Sequence, residues 1–100
     1  MIVEDNAINR SVLRDMLERI GHQVIEAADG LQGLQAAQAQ PFDLIIMDVS
    51  MPVMDGIEAV RRIRAEAGPN QTTRTLGLTA HGREEYRDRA LKAGMDGFFT

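Results

Sequence analysis

The run Leu44-Ile45-Ile46-Met47 constrains this chain more than any other stretch. It is aliphatic at four consecutive positions, so both faces of the strand it forms favour burial, and such a strand belongs to a parallel sheet layered between helices. Yet the run ends in an acid, Asp48. A buried strand has no use for a carboxylate. Asp48 is either a solvated residue where the strand leaves the core or a reactive group held at the strand end.

Around that run the apolar period switches repeatedly between short runs and helical spacing, which reads as alternating β and α. "MIVED" gives a first strand with almost no lead-in. "NAINRSVLRDMLERIG" sets Ile8, Val12, Leu13, Met16, Leu17 and Ile20 on one helical face, with Asn6 as N-cap and Gly21 as the stop. "HQVIEAA" reads as a strand, followed by a helix over "DGLQGLQAAQAQ" that Asp29 and Gln32 open as a capping box and Pro41 closes. Gly30 and Gly33 are a weak spot there, costing roughly 1 kcal/mol if both are interior and less if Gly30 sits in the first turn. After the strand "FDLIIMD", Asp55 and Glu58 form a second capping box. The helix it opens carries Ile57, Val60, Ile63 and Ala67 inward before Gly68-Pro69 stops it. "GPNQTTR" reads as the most flexible loop, "TLGLTA" as a strand weakened by Gly77, "REEYRDRALKAG" as a mostly polar helix and "MDGFFT" as a fifth strand.

Five strands and four helices predict an α/β fold: a doubly wound parallel five-stranded sheet of the flavodoxin-like order 2-1-3-4-5, with right-handed crossovers. A fifth helix is expected to cover the sheet and is missing, so residues 1–100 read as one domain truncated at both ends. One hundred residues hold a single core. A net charge of -4 and only four aromatic residues disfavour direct nucleic-acid binding. With no cysteine there is neither a disulfide framework nor a thiolate metal site, which fits a reducing compartment, with cytoplasm the default. The aliphatic runs fall far short of the ~20 residues of a membrane helix, so no membrane contact is expected from this domain.

In such a sheet, ligands bind beyond the carboxyl ends of the strands where strand order reverses. Glu4 and Asp5 follow the first strand and Asp48 ends the third. With the order 2-1-3-4-5 these strands are neighbours, and three carboxylates share one crevice. Their repulsion calls for a hard divalent cation with oxygen ligands, and Mg²⁺ fits because it tolerates an incomplete protein cage. Taken singly, each acid is an ordinary loop or capping residue; convergence is what changes the reading. Thr79 ends the fourth strand with a hydroxyl able to bond an anion at Asp48, although β-branched residues end strands commonly. His81 and His22 have no partner at ligand spacing, and Met47, Met51 and Met54 read as packing. The chemistry available is phosphoryl transfer onto a carboxylate.

Taken together, "VEDNAINR", "MDVSMPVMDG", "LTA" and "AGMDGFF" closely resemble, in order and over essentially the whole chain, the CheY-like receiver domain of two-component response regulators. The resemblance implies that Asp48 accepts a phosphoryl group from a phosphohistidine. It implies that Asp5 ligates Mg²⁺ directly, Glu4 acts through water, and the backbone carbonyl of Ser50 adds a ligand. By the same resemblance Thr79 contacts the phosphoryl group and works as the switch, and Ala80 keeps the approach open. Phe98 is the aromatic whose rotamer reports phosphorylation, or simply a core aromatic. Ser50 and His81 flank the site where the family tunes the lifetime of the acyl phosphate. The family's lysine should follow Thr100 directly and falls outside the sequence. The fourth strand also lacks the usual proline and double aliphatic, showing Arg74-Thr75 instead, which is expected to loosen the preceding loop.

"DNAINR" resembles the receivers of hybrid sensor histidine kinases, so the phosphodonor is a histidine kinase or a histidine phosphotransfer domain, and the parent protein is potentially membrane-anchored. A separate regulator would look similar. Two other functions compete. A Mg²⁺-dependent phosphatase with Asp48 as nucleophile wants a second acid two residues on, where Ser50 stands. A pseudo-receiver, an interaction module that is never phosphorylated, is disfavoured by the intact acids. Whether the chain counts as an enzyme stays open, since the domain is a phosphoacceptor.

Overall fold

The structure is a computed structural model that describes residues 1–49, 51, 53–78 and 86–99. Its elements alternate as β1 (Ile2–Val3), α1 (Ala7–Arg19), β2 (Glu26–Ala27), α2 (Gly30–Ala39), β3 (Ile45–Asp48), α3 (Gly56–Ala65), β4 (Thr75–Leu78), α4 (Tyr86–Ala93) and β5 (Gly97–Phe99). All pairings are parallel, in the order β2-β1-β3-β4-β5. The expected doubly wound sheet is therefore present. Right-handed crossovers send α1 to one face and α2, α3 and α4 to the other. Consistently, α2 packs on α3 and α3 on α4, while α1 packs chiefly on β1.

Side-chain alternation along the strands divides the burial. Val3, Ile45, Met47 and Val49 join Leu34, Ala37, Ala59, Val60, Ile63, Ala90 and Met95 in one core under α2–α4. Ile2 and Ile46, buried in register with each other, point to the α1 side. That side is thinly covered. α1 contains no buried residue: Ile8, Val12, Met16 and Ile20, expected to face inward, are 52–75 % exposed, and of the six apolar positions only Leu13 and Leu17 are half-buried.

The helix ends follow local chemistry. α1 closes in a Schellman motif, His22 N–H donating to Leu17 O and Gly21 N–H to Glu18 O, with Gly21 at φ 94°. At α2, Asp29 Oδ1 accepts from Gln32 N–H at 2.8 Å, while the Gln32 side chain accepts from Ala28 N–H rather than from the cap residue. The box at α3 is half as expected. Asp55 accepts from Glu58 N–H at 2.8 Å, but the Glu58 carboxylate turns to Arg61 and Arg62. Ala67 is also not part of the inner stripe. α3 stops at Ala65, the chain is extended at Glu66 ahead of Gly68-Pro69, and Ala67 is exposed.

Gly30 and Gly33 are not the weak spot their propensity suggested. A Cβ on Gly33 would lie 2.8 Å from Val3 Cγ2, and one on Gly30 would lie 2.0 Å from the Met54 carbonyl oxygen, so the missing side chains let α2 lie close against β1 and the loop after β3. The loop before β4 is likewise pinned, not loosened. Asn70 is 1 % exposed and makes four bonds: its amide donates to Ala37 O (2.6 Å) and Gln40 O (2.7 Å), and its Oδ1 accepts from Phe42 N–H (2.8 Å) and Thr73 Oγ1 (2.9 Å). Arg64 then reaches Asn70 O, Gln71 O, Gly94 O, Thr75 Oγ1 and Asp96. Among the described residues no helix is long and apolar enough to cross a membrane.

Candidate functional site

Two neighbouring strands bring the acids together. Ile2 pairs with Ile46 and Val3 with Met47, so the next step of the ladder sets Glu4 beside Asp48. Glu4 and Asp48 share the parity of Ile2 and Ile46, which aims both side chains toward the same face. Asp5, in the turn into α1, completes the group. Oxygens of Glu4, Asp5 and Asp48 all lie within 4.8 Å of one another, with Glu4 buried, Asp48 half-buried and Asp5 exposed.

Each acid is held by its surroundings. Glu4 N–H donates to Ala27 O of β2 (3.1 Å), and Glu4 Oε1 accepts from Asn6 N–H (3.0 Å). Asn6 caps α1, its Oδ1 accepting from Ile8 N–H (2.9 Å) and Asn9 N–H (3.0 Å), so the turn carrying Asp5 is fixed at both ends. Past Asp48, Val49 N–H bonds Leu78 O of β4 and Val49 O accepts from Gly56 N–H, folding the β3–α3 loop back over the strand end. Gly56 is required there: a Cβ would sit 2.0 Å from the Asp48 carbonyl oxygen.

Three carboxylates this close cannot all be ionised comfortably. Burial pushes the Glu4 carboxyl up to about 7, opposed by the Asn6 N–H and reinforced by a hydrogen bond with Asp48 and by the charges of Asp48 and Asp5. Protonation of Glu4 lowers the repulsion in this group, as a bound cation would. Among the described residues the converging donors are all carboxylate oxygens, which suits a hard divalent ion such as Mg²⁺.

Of the other residues singled out from the sequence, Phe98 is half-buried, packed against the core and in register with Gly77 of β4. Ser50, Thr79, Ala80 and His81 lie outside the described residues. His22 is exposed past the end of α1, while Met47 is buried and Met51 and Met54 pack against the core. Sequence reasoning passed over Gly56 and Arg10. The signal for Gly56 was the Asp-Gly pair at a helix start directly after the acidic strand end. Arg10, whose Nη1 donates to Glu4 O at 2.8 Å, gave no signal apart from its place about one turn into α1.

Comparison with known proteins agrees with this geometry. The chain spans only about a tenth of the length of the curated relatives it matches. It is 38 % identical over 96 residues to the sensor protein EvgS of Escherichia coli K12, covering 96 % of this chain and 8 % of that protein. It is 38 % identical over 102 aligned residues to the sensor protein GacS of Pseudomonas syringae pv. syringae, covering all of this chain and 11 % of that protein. Among solved structures, the receiver domain of the sensor histidine kinase PA1611 from Pseudomonas aeruginosa, crystallised with a magnesium ion in its active-site cleft, superposes with a TM-score of 0.90 at 37 % identity. That match covers 99 % of this chain and 80 % of the other. The chemotaxis protein CheY4 of Vibrio cholerae superposes with a TM-score of 0.89 at 34 % identity, over 99 % of this chain and 82 % of that one. With the family match running over residues 1–100, this chain belongs to the response regulator receiver domains of two-component signal transduction.

Proposed function

We propose that this domain is the phosphoacceptor of a His-to-Asp phosphorelay, with Asp48 as the accepting residue. The observation that carries this reading is the convergence of Glu4, Asp5 and Asp48 at the ends of two adjacent parallel strands. An Asp48 carboxylate oxygen attacks phosphorus in line, the phosphorus–nitrogen bond of the phosphohistidine breaks, and the imidazole leaves with a proton. Asp5 and Asp48 would hold the cation directly and Glu4 through water, with the Ser50 carbonyl as a further ligand by resemblance to the family. When bound, Mg²⁺ supplies neutralisation of the carboxylates and of the charge that develops on the phosphoryl oxygens. A bound cation would favour the ionised form of Glu4, whose carboxylate Asn6 N–H keeps oriented.

Thr79 contacts the phosphoryl group after transfer, Ala80 leaves the approach open, and Ser50 and His81 border the acyl phosphate. Phe98 is the aromatic that responds. Its neighbour across the ladder is Gly77, and a Cβ there would lie 2.6 Å from Phe98 Cδ2, so the ring packs over a position that only glycine leaves open. A switch of this kind is a population shift between two packings of the same chain. Hydrolytic turnover is disfavoured because position 50 is serine and offers no second acid. The relatives favour a hybrid sensor kinase as the parent protein, with its own kinase domain or a histidine phosphotransfer domain as donor, on the cytoplasmic side of any membrane anchor.

Intact mass after incubation with acetyl phosphate and Mg²⁺ tests the reading. One phosphoryl group is expected on the chain and none on Asp48→Asn or in the presence of EDTA. No addition to a folded, Mg²⁺-binding chain, from acetyl phosphate or from a phosphohistidine donor, would leave an interaction module in its place.

A further inference from the structure

Glu4 ends a buried strand, and its carbonyl needs a partner that a sheet ladder no longer supplies. The partner it has is a side chain: Arg10 Nη1 donates to Glu4 O at 2.8 Å. The same guanidinium is anchored from the other side, Arg10 Nε lying 3.3 Å from Glu26 Oε1 on the edge strand β2. Glu26 Oε2 in turn accepts from Arg14 at 2.7 Å, and Arg14 also pairs with Glu18 at 3.4 Å. A ladder of charges thus ties α1 to the sheet edge, and its last rung is the peptide that joins Glu4 to Asp5. Arg10 is only about one-fifth exposed, so this geometry is more confined than that of a surface pair.

We infer that Arg10 is a positioning residue for the three-carboxylate cleft: by bridging the Glu4 carbonyl to Glu26, it fixes the main chain from which the Glu4 and Asp5 carboxylates project toward Asp48. The inference rests on the cation-binding reading of that cleft. Charge and geometry predict opposite signs for it. A guanidinium acting only through its positive charge opposes a cation at the acids, so its removal would tighten Mg²⁺ binding. A guanidinium acting by holding the loop favours the cation, and its removal loosens the site. Groups that orient metal ligands in this way typically contribute about 10- to 100-fold to metal affinity.

Calorimetric titration of the full chain with Mg²⁺, beside melting curves without metal, separates these outcomes. Arg10→Ala is expected to raise the Mg²⁺ Kd about 10-fold, the lower end of the range for such groups. Glu26→Gln, which leaves the guanidinium but weakens its anchor, should raise it by less, roughly 3-fold, below the range for losing the orienting group itself. Arg10→Lys keeps the charge but cannot span both partners, and should fall between Arg10→Ala and the wild type. A role confined to fastening α1 would lower the melting temperature and leave the Kd of the folded chain unchanged. Unchanged or tighter binding in Arg10→Ala overturns the inference. If that variant does not fold, an unchanged Kd in Glu26→Gln overturns it equally. A wild-type chain that takes up no Mg²⁺ instead sinks the cation reading itself, so the two failures are distinguishable.

Discussion

Asp48 answers the puzzle its own strand poses. Its carboxylate sits at the end of an aliphatic run because the neighbouring strand ends, two residues past Ile2, in a second acid on the same face. Glu4 is the residue that registers the strain of that arrangement. Its carboxyl is raised to about 7 from an ordinary value near 4.5, so between those limits the folded chain binds a proton that the unfolded chain has lost. Stability contributed by this group is therefore full below about pH 4.5 and is lost as pH rises through about 7. Without divalent cations, the urea midpoint is expected to fall from pH 5 to pH 8, and Glu4→Gln should flatten that slope. Adding Mg²⁺ at pH 8 should restore stability by linkage in the wild type and less so in the variant. Equal slopes in both chains would show that Glu4 is not the group responsible. None of this was legible in the sequence beyond the meeting of the three acids, since "VED" is equally good as a solvated turn. The deciding facts are the Ile2–Ile46 register and the burial of Glu4, which come from distant segments.

At the scale of elements, apolar period and cap residues were enough to place four helices and five strands, because Asn6, Asp29, Asp55, Gly21 and Gly94 act locally. What the period could not convey is why helix α2 tolerates two glycines, or why "GPNQTTR" is tied down at its centre by hydrogen bonds. Both depend on contacts between elements. Asn70 looks like any loop asparagine until it is seen to join the end of α2, the lead into β3 and the loop before β4 through four hydrogen bonds. Asn70→Ala would leave Phe42 N–H and two carbonyls without their partners, at a cost of about 3 kcal/mol. Asn70→Asp keeps the acceptor for Phe42 but turns a carboxylate oxygen toward Ala37 O and Gln40 O, so it should be no milder. Urea unfolding would check both; a loss under about 1 kcal/mol in each would mean that water replaces the side chain freely. Gly56 is tested the same way. Gly56→Ala forces a methyl group against Asp48 O and Met47 Cγ, and is expected to destabilise by about 1–3 kcal/mol. Because the nearest displaced atom belongs to Asp48, the same variant should also slow the phosphorylation proposed for that residue.

The molecule as a whole is lopsided, with a well-filled core under α2, α3 and α4 and a sparsely covered face around α1. Helical spacing predicted an inward stripe of six apolar residues on α1, and the structure leaves Ile8, Val12, Met16 and Ile20 largely exposed. The sequence pattern was sound as a statement about the helix and silent about what lies over it. A contiguous apolar ridge of this kind calls for a cover, and a helix following β5 is the simplest one that parallel α/β topology offers. A chain continued beyond Thr100 is therefore expected to melt several degrees higher. The sharper test is a coupling between that extension and the ridge. In the chain ending at Thr100, Val12→Lys and Met16→Gln replace exposed groups and should change stability by no more than about 0.5 kcal/mol. In the extended chain the same replacements bury polar groups without partners, and should cost about 1–3 kcal/mol each. The difference between the two backgrounds, obtained as a double-mutant cycle, measures the packing of the added segment on α1 and nothing else. If the substitutions are equally mild in both, the ridge is not where the added segment packs, and it stays available to another molecule.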